Sequence, residues 1–170
     1  MTIKYKYKGK GYQSRENQNP KFSKKNLVGL YLDMLRIRRI EEAIESRYHE
    51  DEMKSPIHLV IGHEAFSVGS CSSFNKDDLI YCSKRKPGHY LAKGGCLNSM
   101  MAEIYGKVSG CSKGMGGSMH LIETSVGFMG STAIVGNTIP VAVGLALEKR
   151  LTRKNSIACV FFGDGATEEG

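Results

Sequence analysis

The sequence predicts an α/β fold, a parallel sheet flanked by helices, on two observations. The run Ile157-Ala158-Cys159-Val160-Phe161-Phe162 is continuously apolar, the pattern of a strand buried on both faces of a parallel sheet. A second short apolar run, Leu79-Ile80-Tyr81-Cys82, stands between segments whose apolar residues recur at helical spacing. Helices alternating with short buried strands mark the α/β class. With 170 residues, 41% of them apolar, the chain suffices for one core or for a large piece of a bigger domain.

Residues 1–25 carry eight basic residues and the single acid Glu16, so the whole net charge of +7 lies there. The remainder balances sixteen bases against sixteen acids. This tail, rich in Lys, Asn and Gln, reads as disordered, and a domain is expected over residues 26–170. Ser23 is placed to cap a helix reaching about Asp51, with Leu27, Leu30, Met34, Ile37, Ile44 and Tyr48 near helical spacing. Residues 55–62, with Pro, His and Gly, suit a loop or short strand, and residues 63–72 a second helix. Asn75-Lys76-Asp77-Asp78 is a turn cluster before the strand at Leu79–Cys82. Residues 98–108 read as a helix capped by Asn98 or Ser99. Seven glycines then fall between residues 109 and 136, which suits either backbone packed close against a ligand or another chain, or a plain flexible loop. A helix over 139–153 precedes the apolar run, which ends in Gly163-Asp164-Gly165.

Composition excludes several classes. The neutral body offers no surface to track phosphates, so a nucleic-acid partner is not supported. Charge or glycine breaks every apolar run before it could span a membrane, and the first residues lack the apolar middle of a secretory signal. Five cysteines, odd in number and without metal or redox spacing, read as idle thiols in a reducing compartment. A soluble cytoplasmic protein is expected.

Four places hold residues fit for chemistry. Asp164, flanked by glycines at the carboxyl end of a buried strand, stands where α/β folds bind ligands, and one hard carboxylate suits a magnesium–diphosphate. Alone, that string is better explained as an ordinary strand-to-helix turn. The segment Lys113–His120 is neither a P-loop nor a dinucleotide fingerprint, though its amides could receive an anion. His58 and His63, near a loop–helix junction, are able to bind a carboxylate or relay a proton. Lys84-Arg85-Lys86 follow a strand and suit a phosphate, a solvated loop being the equal alternative.

In this order, certain strings resemble one family. They are His58-Leu59-Val60-Ile61-Gly62-His63-Glu64-Ala65, Gly88-His89-Tyr90-Leu91-Ala92-Lys93-Gly94, Lys113-Gly114-Met115-Gly116-Gly117-Ser118-Met119-His120, Ala133-Ile134-Val135-Gly136-Asn137-Thr138-Ile139-Pro140 and Phe162-Gly163-Asp164-Gly165-Ala166. The chain resembles the alpha subunit of the decarboxylating first component of 2-oxo acid dehydrogenase complexes, a family that includes the pyruvate, branched-chain and acetoin enzymes. The resemblance covers roughly residues 26–170. It implies a thiamine-diphosphate-binding fold, incomplete here at its C-terminus, with thiamine diphosphate and magnesium as cofactors. It also implies a beta subunit and a lipoyl-bearing acyltransferase component as partners, in a heterotetrameric enzyme that decarboxylates a 2-oxo acid with the cofactor as electron sink.

By the same resemblance, Asp164 would bind magnesium, and Gly165 and Ala166 would lie along the diphosphate. Arg85 matches the family's diphosphate-binding arginine, with Lys84 beside it. Ala133 and Val135 match positions packed against the aminopyrimidine, and His58 matches an active-site histidine that contacts the 2-oxo acid or the lipoyl group. The sequence departs from the family at Lys84, where a tyrosine is usual, and at Pro87, where a histidine is frequent. The family's second magnesium ligand, an asparagine, belongs downstream of Gly170. The expectation is therefore the N-terminal part of a subunit about twice as long, inactive by itself. The alternative is a non-catalytic remnant or assembly protein of the same fold; a transketolase-like enzyme would need other residues at 113–120.

Overall fold

A computed structural model of the chain describes residues 22–169. Most of the expected basic tail lies outside the described residues. The first helix, α1 (Lys24–Arg47), starts where expected, because Ser23 Oγ accepts the N–H of Asn26 at 3.1 Å. It ends sooner than Asp51, in a single 3₁₀ turn at Tyr48–Glu50. Its inward face holds Ile37, Glu41 and Ile44. Residues 55–62 are loop rather than strand, and α2 (Glu64–Cys71) follows.

The sheet has three parallel strands in the order β2-β1-β3. Strand β1 (Leu79–Cys82) is central; β2 (Phe128–Ser131) and β3 (Ala158–Phe161) flank it. Leu79 opposes Ala158 and Cys82 opposes Phe161, while the β1–β2 register shifts between Ile80 and Tyr81. Asp78 staples the sheet's entry: its carboxylate accepts from Asn75 N at 2.7 Å and Ile157 N at 2.9 Å. These amides, the Ile157 bond first, hold its pKa below the usual carboxylate range.

The burial expected of the apolar run belongs to a different strand. Ile80 and Cys82 of β1 are fully buried, whereas β3 is only half-buried until Phe161. Among the described residues β3 pairs with β1 alone and stands at the sheet's edge, so its apolar side chains have a partner on one flank only. The next-door helix α5 (Thr138–Leu151) likewise buries only Thr138 and Ala142 and leaves Val143, Leu147 and Leu151 exposed.

Two elements were not expected. The segment opening with Lys84-Arg85-Lys86, read as a solvated or phosphate-binding loop, passes at Lys86 into α3 (Lys86–Ala92), with every residue from Lys86 to Leu91 buried. Pro87 in its first turn pre-sets helical φ. Gly88 admits the close approach of α2, since a Cβ there would lie 2.6 Å from Ser67 Oγ and 2.7 Å from Val60 Cγ1. Strand β2 sits inside the glycine-rich stretch, where no run of branched residues marks it. Helix α4 (Leu97–Ile104) is shorter than the expected 98–108 and starts earlier; Cys96, not Asn98 or Ser99, precedes it, without a side-chain cap. The core joins Ile37 and Ile44 of α1, Val60, Val68, Ile80, Tyr90, Met100, Ile104, Leu121 and Phe128.

Candidate functional site

Because the strands are parallel, their carboxyl ends share one edge, where α/β sheets bind ligands. A cavity of about 270 Å³ opens there. After β1 come Ser83, Lys84, Arg85, Lys86 and Pro87; after β2 come Ala133 and Val135; Ser118 and Met119 close another side, and His58 enters from the loop before α2. Five of the residues singled out from sequence, His58, Lys84, Arg85, Ala133 and Val135, are thus brought together. Asp164, Gly165 and Ala166, in the 3₁₀ turn Asp164–Thr167 after β3, do not line this cavity. Lys84 connects the two places, because a Cβ on Gly163 would lie 3.5 Å from its Cδ and 3.7 Å from its Nζ. His63 stands at the start of α2 and takes no part in the cavity wall.

Arg85 is held in an unusual way. It adopts the left-handed region, φ 51° and ψ 45°, which a non-glycine residue enters at a cost. Its Nη1 donates to the carbonyl of Leu59, and its Nε is buried without a hydrogen-bond partner. Lys86 is 7% exposed, and no carboxylate among the described residues pairs with it. Burial pushes its ammonium below the usual lysine range. The wall therefore carries three cationic side chains and a histidine without one acid, together with the apolar Met119, Ala133 and Val135. Such a surface fits an oxyanion joined to an apolar group. No group of three His, Cys, Asp or Glu residues among the described residues makes a metal site by itself. Asp164, exposed and alone, suits magnesium only where phosphate oxygens and water complete the shell.

The glycine-rich segment receives an anion, but the anion is the protein's own. Glu103 of α4, fully buried, accepts four backbone N–H groups: Ser112 and Gly114 on Oε2 at 2.7 and 2.9 Å, Gly116 and Gly117 on Oε1 at 2.7 and 3.1 Å. Burial by itself would raise its pKa; the four amides outweigh burial and lower it. Gly114 and Gly117, at φ 77° and 56°, provide the left-handed turns that aim the amides inward. Ser118 then ties the loop to the His58 segment, its N–H donating to Ser55 Oγ at 3.0 Å and its hydroxyl to Pro56 O at 2.6 Å. The amides of residues 112, 114, 116 and 117 are thus taken up by Glu103, while Ser118 and Met119 of the same segment line the cavity. Glu103 was missed in the sequence; its signal was a lone acid within Met100-Met101-Ala102-Glu103-Ile104 just ahead of the glycines.

All five cysteines are free. Burial pushes the Cys71 and Cys82 thiols up to about 11 and about 12, so neither is a thiolate nucleophile near neutral pH. Burial also pulls His89 down to about 4 and keeps it neutral beside Phe66 and Phe161.

Comparison with known proteins matches residues 32–170 to the family described as the dehydrogenase E1 component. The alpha subunit of acetoin:2,6-dichlorophenolindophenol oxidoreductase from Bacillus subtilis is 38% identical over 141 residues, 83% of this chain and 42% of that one. The mitochondrial pyruvate dehydrogenase E1 component subunit alpha of Solanum tuberosum is 36% identical over 148 residues, 87% of this chain and 38% of that one. The chain thus spans about two fifths of the length of these relatives. Its match to the family over 139 residues, with relatives 38% and 36% identical, leads to one conclusion: the chain belongs to the dehydrogenase E1 component family, of which it represents an N-terminal portion.

Proposed function

We propose that the cavity is the diphosphate end of a thiamine-diphosphate site in the alpha subunit of a 2-oxo acid dehydrogenase. The carrying observation is the acid-free cluster of Lys84, Arg85 and Lys86 at the carboxyl edge of the sheet. In this reading Arg85 and Lys84 hold the diphosphate, and Asp164 supplies a magnesium ligand, with Gly165 and Ala166 alongside. Ala133 and Val135 pack against the aminopyrimidine, and His58 faces the 2-oxo acid or the lipoyl group. When bound, the cofactor supplies an electron sink for decarboxylation of a pyruvate-like or branched-chain 2-oxo acid. The rest of the reading is a domain over residues 26–170, a beta subunit completing a heterotetramer, and a lipoyl-bearing acyltransferase component that accepts the acyl group. The relatives' names include mitochondrial forms beside bacterial ones; a cytoplasmic place is our expectation from the free thiols.

The test is calorimetry of thiamine diphosphate with and without magnesium, on the full reading frame co-expressed with its beta-type subunit. Magnesium-dependent binding that Asp164→Ala abolishes is expected. Absence of binding by a folded, assembled complex overturns the enzyme reading and leaves a non-catalytic assembly role.

A further inference from the structure

Leu59 C=O and Val60 N–H are the two ends of one peptide group, and opposite charges grip it from opposite sides. Arg85 Nη1 donates to the carbonyl, and Glu41 Oε2 accepts the N–H at 2.8 Å. Glu41 and Val60 are both fully buried, on α1 and on the loop that carries His58. Each charged group keeps a buried atom without a partner, Oε1 of Glu41 and Nε of Arg85. A peptide polarised by a carboxylate at its N–H is a stronger acceptor at its C=O, so the two bonds reinforce each other. Because a trans peptide is rigid and planar, fixing both ends fixes its plane.

We propose that Glu41 is a positioning residue for the anion site, its clamp with Arg85 across the Leu59–Val60 peptide setting both the guanidinium and His58 for the ligand. This inference rests on the reading of the cavity given above. The ionised carboxylate is the form that completes the clamp. Burial, foremost, raises Glu41 to about 6, the Val60 N–H opposes the rise, Glu64 on α2 adds to it, and Arg85 at the start of α3 opposes it. Of the other titratable groups on the packed elements, Arg38 is paired with Glu64, His89 is neutral, Cys71 stays a thiol, and Lys86 faces the cavity. The clamp is therefore intact above about pH 6 and opens as pH falls through that value.

The experiment measures thiamine diphosphate affinity, with magnesium, from pH 7.5 to 5.5 on the assembled full-length enzyme. Glu41→Gln is expected to weaken binding roughly tenfold at the upper end, as a charge-assisted hydrogen bond becomes neutral. It also flattens the profile relative to wild type, and Glu41→Asp restores the slope. Titration of the ligand is common to all three and cancels in the comparison. Arg85→Ala, run alongside, separates the two readings. If it binds as wild type does, the cavity reading falls and the clamp with it. If it loses binding while Glu41→Gln keeps wild-type affinity and slope, the clamp alone is overturned. Should Glu41→Gln fail to assemble, infrared titration of the buried carboxyl decides: its midpoint near 6 rises in Arg85→Ala if the clamp exists, and an unchanged midpoint overturns it.

Discussion

Two glutamates in this molecule are equally buried and behave oppositely. Glu103 and Glu41 are both 0% exposed. The first accepts four backbone amides and is held below the usual carboxylate range; the second accepts one and is raised to about 6. Burial disfavours the charge at both places; at Glu103 the four amides outweigh it, and at Glu41 the single Val60 amide does not. Glu103 is a structural anion that shapes the loop at 112–117. Glu41 keeps a spare oxygen and titrates beside the proposed site. Stability and adaptability are thus divided between two identical side chains by the backbone around them.

The contrast can be broken most severely at Glu103. Glu103→Ala leaves four N–H groups near the core without an acceptor and is expected to destabilise the subunit by roughly 4 kcal/mol, read by denaturant unfolding of the assembled enzyme. Hydrogen exchange at 112–117 should accelerate with it, and unchanged exchange there would show that the loop holds without its anion. Gly110→Ala presses on the same residue from outside. A Cβ there would meet the Glu103 carboxylate and lie 2.6 Å from its Cα and 2.7 Å from its N, and about 2 kcal/mol of overpacking is expected in thermal melts.

The smallest effect has the opposite sign. Below about 4.5 Glu41 carries a proton in both folded and unfolded chains; between about 4.5 and 6 the folded chain alone keeps it. Its contribution to stability therefore declines as pH rises through that window, leaving a cost of about 1–2 kcal/mol at neutral pH. Glu41→Gln should remove the cost and raise the unfolding midpoint near pH 7 while weakening cofactor binding. Glu103, with its lowered pKa, contributes stability above the ordinary carboxylate value near 4.5 and loses it as pH falls further. A Glu41→Gln enzyme less stable than wild type at pH 7 would contradict the assignment of Glu41 as a costly buried charge.

Periodicity and turn chemistry were enough to place α1, α2, β1 and α5 within a few residues, since each has its own local signal: the Ser23 cap, the turn at Asn75–Asp78, the repeated apolar face. The ordered strings were enough to name the family, and five of the candidate site residues meet in one cavity. Helix α3 and strand β2 were illegible because their stability is not local. A seven-residue helix beginning with Lys, Pro and Gly persists through its packing on α2, and a strand containing Gly130 persists through pairing with β1. The edge position of β3 was equally hidden, since an apolar run shows only that a strand seeks burial, not how many neighbours it finds.

What the amino-acid order determined by itself is the class of fold and the family, because these depend on residue type and spacing. Which carboxylate serves the backbone and which faces Arg85, and that the glycine amides bind Glu103 instead of a ligand, was decided only in the folded chain. A hydrogen bond between residues far apart in sequence leaves no trace in the spacing of either, and the charge of a buried group follows from the donors that the fold brings to it.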